Sequence, residues 1–177
     1  MTSAGSVTSY EHLIREIPDF PEEGILFRDI TPLLLDPVGF AWAIDRMTQA
    51  AGTMPLDVIV AVEARGYLFG APMARALDVP LIPVRKVGKL PYKTVSIEYA
   101  LEYGSATVEM HEDGIHPGQR AVLVDDLLAT GGTLKAAEGL VHKAGGITVG
   151  ATVLIELAEL SGRALLGDYP VHTLMHL

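Results

Sequence analysis

Apolar residues fall in short blocks along this chain, and polar or glycine-rich breaks separate the blocks. "DVIVAV" (57–62), "PLIPV" (80–84), "AVLV" (121–124) and "ITVGATVLIEL" (147–157) are apolar nearly throughout. Runs of this kind predict strands buried on both faces, as in a parallel sheet. Between them, "ARGYLFGAPMARAL" (64–77) and "TLKAAEGLVHKAGG" (133–146) carry helical spacing, and Gly145 stands where a C′ stop belongs. "DPVGFAWAIDRMTQAAG" (36–52) predicts a further helix from Asp36, with Pro37 first and Gly52 last. "SYEHLIREI" (9–17) predicts a short helix capped by Ser9, which "PDFPEEG" breaks. Strand–helix–strand alternation implies an α/β fold: an open, mostly parallel twisted sheet flanked by helices, with right-handed crossovers.

That rhythm fails between Lys86 and Gln119. "KTVSIEYALEYGSATVEMHEDG" (93–114) alternates polar and apolar residues and has no helix caps. It predicts a mobile loop and antiparallel strands, with "HEDGIHPG" as a turn. Irregular segments of this kind often cover a site. "HTLMH" (172–176) predicts a terminal strand. Its His172 and His176 stand four apart, but with no Glu between them they make a poor zinc pair. The first eight residues are small and polar and are expected to be disordered.

Composition narrows the class. With 177 residues the chain is expected to form one domain, residues 1–177. It has no cysteine, which excludes disulfides and thiol chemistry and fits a reducing, cytoplasmic setting. No apolar run is long enough to span a bilayer, and no signal peptide opens the chain. The net charge of −9 argues against nucleic acid as a partner. Four of the thirteen Lys and Arg residues nevertheless crowd into "RKVGKLPYK" (85–93), which suggests a small anionic ligand, or simply a solvated basic loop.

The chemistry concentrates in "VLVDDLLATGGT" (122–133). The strand should end at the carboxyl edge of the sheet, where open α/β folds bind ligands. Asp125 and Asp126 follow, and "ATGGT" then turns into a helix near Leu134. The first N–H groups of that helix have no backbone acceptors, and the helix dipole adds positive potential there. Gly131 and Gly132 allow positive φ and close approach, while Thr130 and Thr133 bring hydroxyls. Such a turn suits a phosphate. It matches neither the Walker loop nor the dinucleotide fingerprint. A sugar phosphate reconciles the acids with the cradle, because ionised carboxylates accept hydrogen bonds from ribose hydroxyls. Four apolar residues, two acids, two spacers, a small residue and Thr-Gly-Gly-Thr would coincide by chance with a probability on the order of 10⁻⁵.

This stretch resembles the ribose-phosphate motif of the type I phosphoribosyltransferase family. "DFPEEGILFRDITPLL" (19–34), "EARGYLFGAPMARAL" (63–77), "RKVGKLP" (85–91), "LEYGSATVEMHEDGIHPGQR" (101–120) and "GATVLIEL" (150–157) are similar to its adenine-specific branch, in the expected order. The resemblance implies the fold of that family, with a small N-terminal hood (19–34) and a mobile lid (86–104). It implies transfer of phosphoribose from 5-phosphoribosyl 1-diphosphate to adenine with Mg²⁺, giving AMP and diphosphate, in a cytoplasmic homodimer serving purine salvage. Carried residue by residue, it assigns the 5-phosphate to Ala129, Thr130, Gly131, Gly132 and Thr133. Asp125 and Asp126 take the ribose hydroxyls. Arg65, Arg85, Lys86 and Lys89 take the diphosphate, partly across the dimer interface. Leu26, Phe27 and Arg28 take the base, and Glu102 handles its proton. Mg²⁺ would be held mainly by substrate and water, with no direct protein ligand.

Two departures stand out. Tyr67 replaces a Phe common in the family, and "EAR" (63–65) replaces Asp-Ser-Arg. From the residues alone, Phe27 could equally pack as core, and Glu98 and Glu102 could be solvated charges. A phosphoribosyltransferase for hypoxanthine, guanine or orotate remains an alternative, as does a non-catalytic sensor of phosphoribosyl diphosphate.

Overall fold

A computed structural model describes residues 10–100 and 105–177. Cα packing divides the chain into two compact units whose boundary lies between Ala43 and Ile44. Four helices and nine strands, numbered in chain order, make up the regular structure of the described residues.

The first unit holds β1 (Arg15–Pro18), β2 (Leu26–Asp29), α1 (Thr31–Leu35) and the start of α2 (Pro37–Gly52). β1 and β2 form an antiparallel ladder from Arg15↔Asp29 to Pro18↔Leu26. The helix expected over 9–17 is therefore corrected. Only a 3-10 turn, Glu11–Leu13, forms, and the chain then extends to pair with β2. Cross-strand pairing satisfies more backbone groups here than one further helical turn would. Gly24, at φ +86, closes the connection, and its N–H donates to Asp19 Oδ1 at 2.8 Å. α2 begins at Pro37 and ends at Gly52, as the sequence predicts. Within this unit Tyr10 packs on Trp42 with ring centroids 5.0 Å apart, and Gly39 leaves room for Tyr10, Leu13 and Leu33.

The second unit is built on a seven-stranded sheet in the order β5-β6-β4-β3-β7-β8-β9. β3 is Val58–Val62, β4 Leu81–Lys86, β7 Arg120–Leu128, β8 Ile147–Glu156 and β9 Val171–His176, and neighbours among these five run parallel. β5 (Thr94–Ala100) and β6 (Ser105–His111) add an antiparallel edge, filling the stretch where the alternation breaks. α3 (Gly66–Leu77) and α4 (Gly132–Lys143) are the crossovers. α3 packs against the β3 face bearing Ile59 and Ala61, where a Cβ on Gly70 would stand 2.5 Å from Ala61 Cβ. Val58, Val60 and Val62 turn to the other face and join Leu123, Ala137, Leu140 and Val153 in the main core. With both faces covered, continuous apolar strands are what this sheet requires. No helix of the described residues is long and apolar enough to cross a membrane.

Strand order places the site. From β3 the chain crosses through α3 to β4 on one side; from β7 it crosses through α4 to β8 on the other. The carboxyl ends of β3 and β7 thus flank the switch point of the sheet, where a crevice opens between diverging connections.

Candidate active site

A cleft of about 260 Å³ lies at that switch point. Val62, Glu63, Ala64 and Arg65 line it from the end of β3, and Asp125, Asp126 and Leu127 from β7; Thr133 and Tyr99 complete one wall. A smaller hollow of about 60 Å³ adjoins it, sharing Leu127 and Thr133, and runs along residues 127–134. Asp125, Asp126 and Thr133 border the cleft, and Ala129, Thr130, Gly131, Gly132 and Thr133 border the adjoining hollow.

Two local details differ from what the sequence predicts. β7 does not stop before the acids. It stays in register with β8 through Asp125↔Val153 to Leu128↔Glu156, so both carboxylates stand on a strand. The two glycines also divide their work. Gly131 alone takes positive φ (+85) and forms the N-cap of α4, whereas Gly132 is already its first helical residue. The helix therefore opens two residues earlier than the sequence suggests. Its first free N–H groups fall within the turn that borders the smaller hollow.

The acids are buried, Asp125 at 8% and Asp126 at 3% exposure. The Asp126 N–H donates to Asp125 Oδ1 at 2.9 Å. A Cβ on Gly66 would stand 2.8 Å from the Val124 carbonyl oxygen and 3.1 Å from Asp125 Oδ1, so the start of α3 approaches the acid closely because it carries no side chain there. Burial, and then the charge of Asp126, pushes the Asp125 carboxyl well above the usual carboxylate range. Burial raises Asp126 too, and the Arg65 guanidinium opposes the rise. Arg65 Nε lies 2.9 Å from Asp126 Oδ2, an ion contact joining the β3 loop to β7.

The basic candidates are held by the protein's own carboxylates. Arg85 Nη2 lies 3.3 Å from Glu63 Oε1, the Lys86 N–H donates to Glu63 Oε2 at 2.9 Å, and Arg85 Nη1 donates to the Lys89 carbonyl at 2.9 Å. The Lys86 N–H bond, together with Arg85, holds Glu63 below its ordinary pKa against some burial. Glu109 accepts from the N–H groups of Lys89 and Leu90, each at 3.0 Å, and from Thr94 Oγ1 at 3.1 Å. Its burial disfavours the charge, yet these donors leave its pKa lowered. Lys86 borders the cleft; Arg85 and Lys89 are not among its lining residues.

Pairing and burial expose roles that the sequence alone did not assign. Glu63 and Glu109 looked like ordinary acids, and only tertiary contact reveals them as anchors of the basic loop. Tyr67, where the family commonly has Phe, donates its hydroxyl to the Val84 carbonyl at 2.9 Å and ties α3 to β4. Burial, reinforced by Glu63, pushes its pKa up to about 12, so it stays a neutral donor. Tyr99 Oη lies 3.3 Å from Thr133 Oγ1, which sets its ring in the wall of the cleft.

Leu26, Phe27 and Arg28 all fall on β2 of the first unit. Leu26 is exposed, Phe27 is half-buried edge-on to Phe20 at 5.1 Å, and Arg28 pairs with Glu16 across the hairpin. Glu102 lies outside the described residues, as do residues 1–9 with Ser9. Among the described residues no cluster of three His, Asp or Glu side chains could hold a metal.

Comparison with known proteins agrees with this geometry. Residues 40–172 match the phosphoribosyl transferase domain family. The adenine phosphoribosyltransferase of Fervidobacterium nodosum is 53% identical over 91% of this chain and 95% of its own. The crystal structure of the enzyme of that name from Thermoanaerobacter pseudethanolicus superposes with a TM-score of 0.91 at 50% identity, covering 94% of this chain and 96% of that one. The Saccharomyces cerevisiae adenine phosphoribosyltransferase, crystallised with an iminoaltritol bisphosphate and adenine, gives a TM-score of 0.85 at 39% identity over 92% and 94% of the two chains. A chain with this sheet order, these paired acids and this glycine-threonine turn, matched over most of its length, belongs to the adenine phosphoribosyltransferase family.

Proposed function

We propose that the protein transfers the 5-phosphoribosyl group from 5-phosphoribosyl 1-diphosphate to adenine, forming AMP and diphosphate in purine salvage. Membership of the family supports this reading. The observation that carries it is the meeting, at one switch point, of two buried aspartates with the amino end of α4.

In this reading the 5-phosphate sits against residues 129–133, where backbone N–H groups, the α4 dipole and the Thr130 and Thr133 hydroxyls converge. The ribose hydroxyls donate to Asp125 and Asp126. Both acids have raised pKa values, so hydroxyl donors and a cationic ribosyl centre satisfy a charge that burial disfavours. Arg65, Arg85, Lys86 and Lys89 take the diphosphate, and for Arg65 that means sharing or leaving Asp126. As the bond from ribose C1 to diphosphate oxygen breaks, the adenine imidazole nitrogen forms the new bond to C1. Its proton passes to Glu102, while Leu26, Phe27 and Arg28 hold the base.

The carboxylate oxygens of Asp125 and Asp126 at the cleft are hard donors of the kind Mg²⁺ prefers, and with Asp126 Oδ2 already meeting Arg65 Nε they fit an ion held mainly by substrate oxygens and water. That ion would neutralise charge gathering on the departing diphosphate. A cytoplasmic homodimer, with the basic loop serving partly across the interface, completes the proposal. The lack of cysteine is consistent with that compartment.

The test is to mix the protein with phosphoribosyl diphosphate, Mg²⁺ and each free base in turn. AMP from adenine, with much less nucleotide from hypoxanthine, guanine or orotate, is expected. Nucleotide from another base in preference would move the assignment within the superfamily, and binding without diphosphate release would make the protein a sensor.

A further inference from the structure

The segment between β8 and β9 carries none of the residues assigned so far, yet it touches the turn that borders the smaller hollow. Two 3-10 turns, Ala158–Leu160 and Gly162–Leu165, meet at Ser161, which takes positive φ (+51). Gly162 follows and is buried. A Cβ on Gly162 would overlap the Ala129 carbonyl oxygen and stand 2.7 Å from the Gly131 nitrogen and 2.8 Å from the Thr130 carbonyl carbon. The contact is mutual, since a Cβ on Gly131 would overlap the Gly162 carbonyl oxygen. Two backbones thus lie against each other with no side chain between them, and one is the turn at residues 129–131.

The other side of this contact is fastened. Arg163 Nε donates to Glu156 Oε1 at 3.0 Å, and its Nη2 reaches Glu156 Oε2 as well. Nη1 donates to the Val171 carbonyl at 2.6 Å and Nη2 to Thr173 Oγ1 at 3.0 Å. Glu156 is buried at the end of β8, accepts from Thr173 Oγ1 at 2.9 Å, and has His176 Nδ1 3.6 Å away. Further along, the Tyr169 hydroxyl donates to Glu138 Oε2 of α4 at 3.1 Å, and Lys135 lies 3.2 Å from the same carboxylate. The segment is therefore pinned to β8 and β9 by Arg163 and to α4 by Tyr169, and Gly162, directly before Arg163, is pressed on the turn.

We propose that Gly162 is a positioning residue for the phosphate-binding turn. Held by the Arg163–Glu156 pair, it fixes the backbone shape in which the amides of residues 131–133 converge. The proposal rests on the reading of residues 129–133 as the 5-phosphate site. Ser161 and Gly162 touch no reacting atom in it; they act through the turn.

Ribose 5-phosphate binding and steady-state kinetics test it together. Gly162→Ala is expected to weaken ribose 5-phosphate and to raise KM for phosphoribosyl diphosphate, each by about tenfold or more, with KM for adenine held within about twofold. Arg163→Ala should follow the same pattern more weakly, about fivefold, and Arg163→Lys should recover part of the loss. A purely structural role would lower the melting temperature or the active fraction and leave ribose 5-phosphate affinity unchanged, and that result overturns the proposal. If Gly162→Ala does not fold, the Arg163 pair decides on the same criterion. Wild-type protein that fails to bind ribose 5-phosphate would sink the functional reading itself, whereas wild-type binding with unaltered variants would sink the positioning role alone.

Discussion

The turn after β7 and the corner after β4 both offer to hold anions, and they are built in opposite ways. The first is rigid and nearly chargeless: a glycine at φ +85, the amino end of α4, and backbone packed on backbone. The second is exposed and rich in Lys and Arg, and its shape comes from two carboxylates, Glu63 and Glu109, that accept from its own N–H groups. In the proposed reaction, shape suits a phosphate that stays with the ribose throughout. Charge on a tethered loop suits a diphosphate that must be gripped and then released. Six substitutions, two of them read against pH, probe the difference.

The largest effect is expected in the acids beside the rigid turn. Asp126→Asn should lower kcat about 10²–10³-fold, the loss of roughly 3–4 kcal/mol of charge stabilisation at a dry site, while the melting temperature moves only a few degrees. Equal losses in activity and stability would make Asp126 structural. Asp125→Asn should also cripple turnover but raise the melting temperature. The pKa of Asp125 is higher in the folded protein than in the unfolded chain, so its ionised form costs stability at neutral pH. That cost disappears as pH falls below the raised value, so the gap between wild type and variant should close in acid. Melting curves at several pH values check the sign, and a variant less stable at pH 7 would refute it. Next, Gly131→Ala forces a side chain into positive φ and against Gly162, at a cost of about 1–3 kcal/mol of stability, with loss of phosphate affinity. Titration with ribose 5-phosphate reads the second effect directly.

The charged corner should respond more mildly. Glu109→Ala leaves the Lys89 and Leu90 N–H groups and the Thr94 hydroxyl without their acceptor. KM for phosphoribosyl diphosphate should rise about fivefold and ribose 5-phosphate affinity should hold, because the rigid turn is untouched. Lys89→Ala should raise the same KM less, and more so at low salt than at high. If Glu109→Ala weakened ribose 5-phosphate as much as Gly131→Ala does, the two regions would not be separable. The smallest effect concerns Asp57, whose pKa is lowered to about 2 by its bond to the Arg120 side chain. A lowered carboxylate pKa contributes stability above the unfolded value of 3.8, and that contribution fades as pH falls towards about 2. Asp57→Asn should therefore flatten the acid limb of the stability curve between those values and leave neutral-pH kinetics alone.

Most of the second unit could be read in advance. Strands buried on both faces leave apolar runs too continuous to misread, and Gly52 and Gly145 mark helix ends by local chemistry. What escaped was set by partners distant in sequence. The stretch 9–17 opens with a plausible helix cap in its sequence, yet Arg15–Pro18 become a strand because residues 26–29 pair with them. β7 continues through two aspartates because β8 extends alongside as far as Glu156. Gly162 sits in "LSGRALLG", where nothing local distinguishes it from a plain turn, and its closeness to Gly131 exists only once β8 and β9 are laid down. Glu63 and Glu109 were missed for the same reason: the N–H groups they accept from lie some twenty residues away.

The reversal of strand order between β3 and β7 also governs how the protein can be made. Asp57 and Arg120, which clasp the entry to that parallel pair, are 63 residues apart in the chain. A ribosome must deliver the whole intervening stretch before the two rims of the cleft can meet, so no amino-terminal fragment ending before β7 could turn over substrate. Closing so long a loop costs entropy before any contact compensates, which predicts slow refolding with activity regained only at the last step.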